Sequence, residues 1–170
     1  MIHQHRRRAG SLGFTLVEMA IVLTLMGALL VLTILATQKL IQRAHASATA
    51  AQMAFIRTGL LSLAANCEAL PLTAKAGGDP GLTYQPAGAA CWSGPYLNHW
   101  PTTTSFGRGT AFQYRAEVST TARLSAEALT TSDARVLATE VAPIFAGQAS
   151  LTSTKGTWSV SVTVGAVNQK

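Results

Sequence analysis

Few residues in this sequence could do chemistry, and the first of them is a carboxylate in the wrong surroundings. Glu18 is the only charged residue between Phe14 and Ala36. A carboxylate inside an apolar run costs a few kcal/mol unless it is paired or neutralised, so it marks a functional position by default. The plainer alternative is that Glu18, four residues into the run, reaches back to a headgroup layer. The next candidates are Cys67 and Cys91, an even pair placed well beyond the run. On the side of a membrane that leaves the cytoplasm such a pair favours a disulfide, and two buried free thiols is the competing reading. Closing a loop of about 25 residues would stabilise the fold by roughly 3–4 kcal/mol on a chain-entropy argument. The spacing is far from C-x-x-C, which disfavours redox and zinc chemistry.

Other constellations fail on spacing. His3 and His5 precede the apolar run, while His45 and His99 stand alone, so no histidine cluster offers a metal site. Ser93 and His99 are close in sequence but lack a nucleophile motif and an orienting acid. The stretch Gly107-Arg108-Gly109-Thr110 lacks the lysine and spacing of a phosphate-binding loop. No enzyme activity, cofactor or metal is expected.

The elements that hold Glu18 follow from the run itself. As a helix, Phe14–Ala36 would rise about 35 Å, against about 30 Å for a bilayer's hydrocarbon core. Arg6, Arg7 and Arg8 would keep the start of the chain in the cytoplasm. A secretory signal peptide is the rival reading, with Ala44-His45-Ala46 imitating a cleavage site. Its apolar stretch should be only about 7–15 residues long, and Thr37–Arg43 separates the run from that site. The formal charge of +6 comes in large part from the three arginines. Arg57, Arg108, Arg115, Arg123 and Arg135 are scattered and most of them read as solvated surface, without the clustered basic face that nucleic-acid binding needs.

The segment Gly13-Phe14-Thr15-Leu16-Val17-Glu18, continued by Met19-Ala20-Ile21-Val22-Leu23, resembles the processing and N-methylation motif of type IV pilins and type II secretion pseudopilins. The resemblance spans the leader and first helix, about a quarter of the chain. It implies cleavage between Gly13 and Phe14 by a prepilin peptidase, methylation of Phe14, and Glu18 as the acid needed for assembly. It also implies an inner-membrane precursor whose leader is cytoplasmic and whose head is periplasmic. In a fibre core Glu18 would neutralise the new amine of Phe14 on a neighbouring copy. One buried ion pair then sets the axial register of helices whose apolar contacts all look alike. Gly27 could loosen the helix or admit a close neighbour, although the proline that the family often carries several residues later is missing near Leu35.

Beyond the run, Ile41, Ala44, Ala48, Ala51 and Phe55 recur at helical spacing, as do Met53, Ile56, Leu60, Leu63 and Cys67. Both stripes read as core, on one helix from about Phe14 to about Ala65. Turn residues crowd 71–110, where Gly94-Pro95-Tyr96-Leu97-Asn98-His99-Trp100-Pro101 resembles a segment that precedes the sheet in some pilins. Tyr84, Trp92, Tyr96 and Trp100 are expected to cover the core, with a contact surface for a ligand or another subunit as the competing reading. Strands are expected at Ala111–Val118 and Ala122–Ala126, followed by a helix capped by Thr131 or Ser132 and ended early by Pro143. Ala149–Ser153 and Thr157–Val164 should close as a hairpin around Lys155-Gly156.

The reading is therefore an α+β chain, with a long N-terminal helix packed on a small antiparallel sheet. Its parts are a leader (1–13), a transmembrane and polymerising segment (14–36), an amphipathic helical segment (37–66) and a head (67–170) whose loop 67–110 is pinned by the cysteines. The expected role is a structural pilus subunit, major or minor. Its partners would be copies of itself or other pilins, the peptidase and an inner-membrane assembly platform. A secretion pseudopilin, a DNA-uptake pilin and an ordinary signal-anchored periplasmic domain left uncleaved at Gly13 are the alternatives. Thr152–Lys170 holds no Asp or Glu, so the acidic calcium loop of major pseudopilins is not expected.

Overall fold

The computed structural model describes residues 15–71, 78–107, 109–116, 121–146 and 148–166. Six elements follow in order: α1 Leu16–Cys67, β1 Ala111–Arg115, β2 Thr121–Leu129, α2 Thr131–Ile144, β3 Ala149–Thr154 and β4 Thr157–Ala166. The strands form one antiparallel sheet in the order β1-β2-β4-β3. The expected α+β class, with its long first helix, is what the chain adopts. By compactness the chain divides into two units, residues 1–39 and residues 40–170.

In the second unit the core lies between one face of the sheet and the helices. Ala46, Ala50, Met53, Ile56, Leu60 and Leu63 of α1 recur every three or four residues, which places them on one helical face, and all are buried. Alternate strand residues meet them: Phe112 and Tyr114 on β1, Leu124 and Ala126 on β2, and Val160, Val162 and Val164 on β4. Leu137 and Val141 of α2 complete the cluster. The Arg57 guanidinium stands 5.4 Å from the centre of the Phe145 ring. This arginine is therefore not the freely solvated residue that its scattered position suggested; its charge faces an aromatic surface at the edge of the core.

Three boundaries differ from expectation. The helix cap is Thr130, one residue earlier than Thr131, because its Oγ accepts from the Asp133 amide at 3.3 Å. At its other end α2 stops at Ile144, with Pro143 in its last turn as expected and the Phe145 amide closing on the Val141 carbonyl at 3.1 Å. β1 stops at Arg115, and the expected extension to Val118 lies partly outside the described residues. β2 is longer than the expected Ala122–Ala126, carried to Leu129 through an irregularity at Ala128, whose φ is +60°. The β3–β4 hairpin forms as expected. Lys155 and Gly156 have φ of +51° and +81°, the paired left-handed geometry that suits a two-residue turn between twisted strands.

Between α1 and β1 the chain has no helix or strand among its described residues. Cys67 and Cys91 are bonded, with Cα atoms 5.1 Å apart, and so tie this loop to the end of α1. Asp79 organises the next turn by accepting from the amides of Gly81, Leu82 and Thr83 and from the Thr83 hydroxyl. Replacing both cysteines with serine should lower the head's unfolding free energy by about 3 kcal/mol, read as a drop in thermal midpoint. Tyr114 gives a pH test. Its hydroxyl donates to the Pro71 carbonyl at 2.6 Å, and burial raises its pKa above that of a free phenol. The neutral form is favoured in the fold, so this contribution is full below about pH 10 and is lost as pH rises beyond it. Unfolding midpoints at neutral and strongly alkaline pH should show a fall in wild type that is smaller in Tyr114→Phe, at a cost of about 1 kcal/mol near neutrality.

Candidate functional site

Gly13 and Phe14 lie outside the described residues, so the structure speaks to this site from Thr15 onward. Thr15 and Glu18 satisfy each other across the first turn of α1. The Thr15 amide donates to the Glu18 carboxylate at 3.0 Å, and the Glu18 amide donates to the Thr15 hydroxyl at 3.2 Å. The hydroxyl itself donates to the same carboxylate oxygen at 3.0 Å. This is a capping box, in which Thr and Glu three residues apart satisfy two amides that a helix start leaves without partners. The Thr-x-x-Glu spacing was present in the sequence and would have disclosed it. Glu18 thus has a structural task within its own chain, before any neighbour is considered.

From Thr15 to Ile34 every residue is exposed, and Leu16 shows 87% of its surface. Side-chain hydroxyls along this stretch are turned back onto the helix. Thr24, Thr33 and Thr37 donate to the carbonyls of Ile21, Leu29 and Thr33 at 2.7–2.8 Å. Such bonds leave no donor seeking water, which suits an apolar medium. α1 is long and apolar enough to cross a membrane, with a mean hydropathy of 2.6 in its most apolar stretch. A Cβ added at Gly27 would meet nothing within 4 Å. Close packing at Gly27 therefore has no counterpart within the described part of this chain.

The two helical stripes separate in the second unit. Met53, Ile56, Leu60 and Leu63 are buried as expected, with Cys67 half-buried beside them. Ile41, Ala44, Ala48, Ala51 and Phe55 are not core: all five are exposed, and Phe55 shows 72% of its surface. A helix has more than one apolar face to offer, and the sheet covers only one. Beside the uncovered stripe, Tyr96, Leu97, His99 and Pro101 border a shallow hollow of about 610 Å³ with Ala48, Ala51 and Phe55.

The loop aromatics behave largely as expected. Trp92, Tyr96 and Trp100 are half-buried against the core, and Trp92 stands edge-on to Tyr96 with ring centres 6.0 Å apart. Trp92 Nε1 donates to the Gly81 carbonyl at 2.8 Å. A Cβ at Gly94 would come within 2.7 Å of the Trp92 ring, which is why glycine stands there. The Asn66 amide donates to the Tyr96 hydroxyl at 2.7 Å, and the bond from Ser93 is the main influence lowering that phenol's pKa. The Ser93 hydroxyl accepts from Asn66 as well, at 2.8 Å. Tyr84 differs, remaining 53% exposed.

Sequence reading missed the open face of the sheet. Arg115 and Arg123 are direct cross-strand partners there, and Ser125, Ser159 and Ser161 follow in a hollow of about 550 Å³. Glu127, 3.9 Å from Arg115, forms the only ion pair among the described residues. The clean alternation of β4 was the signal: if Val160, Val162 and Val164 face the core, Ser159, Ser161 and Thr163, which alternate with them, face out. No family model matches the chain, and no curated protein and no solved structure matches it either.

Proposed function

We propose that this chain is a structural subunit of a type IV pilus or related fibre. It would be made as an inner-membrane precursor, cut by a prepilin peptidase between Gly13 and Phe14, and assembled with other copies through its first helix. The observation that carries the reading is the motif Gly13–Glu18 at the head of an uncharged run, together with an α1 that leaves that run uncovered. A helix of this kind needs lipid before assembly and apolar neighbours afterwards. The α+β head attached to it is compatible with the reading, and its role would be structural and not catalytic.

In this account Glu18 has two successive duties. In the single chain it closes the capping box with Thr15; in the fibre it faces the amine of Phe14 on a neighbour. The two duties are separable by substitution. Glutamine keeps the reach and hydrogen bonds of the capping box but carries no charge. Glu18→Gln and Glu18→Ala should both insert in the membrane and be cleaved, and both should lower the sheared fibre fraction by at least about tenfold. Quantitative blotting of sheared and membrane fractions provides the readout. Fibre from Glu18→Gln at the wild-type level would reduce Glu18 to a helix cap and remove its assembly role.

A further inference from the structure

β3 ends the sheet, and its free edge has none of the devices that usually protect one. The strand Ala149-Ser150-Leu151-Thr152-Ser153-Thr154 has no charge and no proline, and its register against β4 runs without a bulge. All of it beyond Ala149 is exposed. The direction of its backbone groups follows from the pairing. The Thr163 amide donates to the Gln148 carbonyl at 3.2 Å, and the two-residue turn closes on Thr154 and Thr157. Residues 148, 150, 152 and 154 therefore turn their backbone groups toward β4, and Ala149, Leu151 and Ser153 turn theirs outward. No hydrogen bond to those outward groups is found among the described residues.

This edge is complementary to itself. Two copies running antiparallel, with Leu151 opposite Leu151, bring Ala149 opposite Ser153, so every outward amide and carbonyl finds its counterpart. The same register places Ser150 opposite Thr152 on the open face, where hydroxyls meet hydroxyls and no like charges collide. On the core side it joins two Leu151 side chains, each 39% exposed in the single chain. Ile144, 49% exposed, ends the helix that packs on β3. The strand is short and uncharged, so a second copy laid in this register meets it with no charge opposed to another. We propose that β3 pairs antiparallel with β3 of a second copy, centred on Leu151, to make one continuous eight-stranded sheet. The inference does not depend on the fibre reading.

The test uses the full chain in membranes with single cysteines, because Cys67 and Cys91 are bonded to each other. Leu151→Cys should form a disulfide-linked dimer under mild oxidant, since facing residues of a hydrogen-bonded antiparallel pair lie about 5.5 Å apart, within disulfide reach. The yield should exceed that of Gln113→Cys, on the opposite edge strand, by at least about tenfold. Ala149→Cys mixed with Ser153→Cys should give the cross-linked heterodimer, and neither should link well to itself. Adding Ser153→Pro removes an outward amide without touching the ladder to β4, and should cut the Leu151→Cys yield by about tenfold. Equal yields at 113 and 151 would overturn the proposal, as would self-linking of 149 and 153 as strong as that of 151. Adducts to other proteins in place of the dimer would give the edge to a different partner and also overturn it.

Discussion

Burial of apolar surface sets the terms for everything else in this chain. Along the first stretch of α1 there are roughly twenty consecutive side chains with one carboxylate among them, and the described residues provide nothing to cover them. Each large aliphatic side chain left in water forgoes about 1.5–3 kcal/mol relative to burial. A segment with a deficit of that size is held in place only by a second apolar phase. Its backbone needs none of the usual compromises, since a helix satisfies its own amides and the threonines turn their hydroxyls inward. The capping box treats the remaining amides at the start in the same way, and it places the one carboxylate where it has hydrogen-bond partners without leaving the chain.

Beyond Leu40 the same helix obeys a different rule. One face is buried under the sheet by residues spaced three and four apart, and the adjoining face keeps Ile41 and Phe55 in the open. The head is stabilised by burial on one side of a four-stranded sheet, by the Arg57–Phe145 contact, and by a disulfide that shortens the reach of a long irregular loop. That loop is tolerable because its turns are made locally, by Asp79 and by the Trp92–Tyr96 pair. Neither turn depends on a strand or helix of its own.

Much of this was legible in the residues. Strict alternation in Trp158–Val164 announced a half-buried strand, Lys155-Gly156 announced its turn, and the even cysteine pair announced the bridge. The long helix was readable because no proline interrupts it before Pro71. What escaped was relational. Two apolar stripes on α1 have the same periodicity, and only the packed sheet decides which is core. Arg57 looked like surface until Phe145 came beneath it from a distant helix. The like-charged Arg115 and Arg123 became neighbours only through strand register. At the site itself Glu18 is conspicuous in the sequence as a lone charge, whereas its bond to Thr15 is signalled only by the Thr-x-x-Glu spacing at the start of the helix.

The most direct measurement of the central claim is the intact mass and N-terminal peptide map of the chain taken from cells that contain a prepilin peptidase. The account requires a mature chain that begins at Phe14 with a methylated amine and has lost Met1–Gly13. A chain that keeps its first thirteen residues, or one cut near Ala46, would contradict it; the apolar helix would then be an anchor or a signal and not the joint of a fibre.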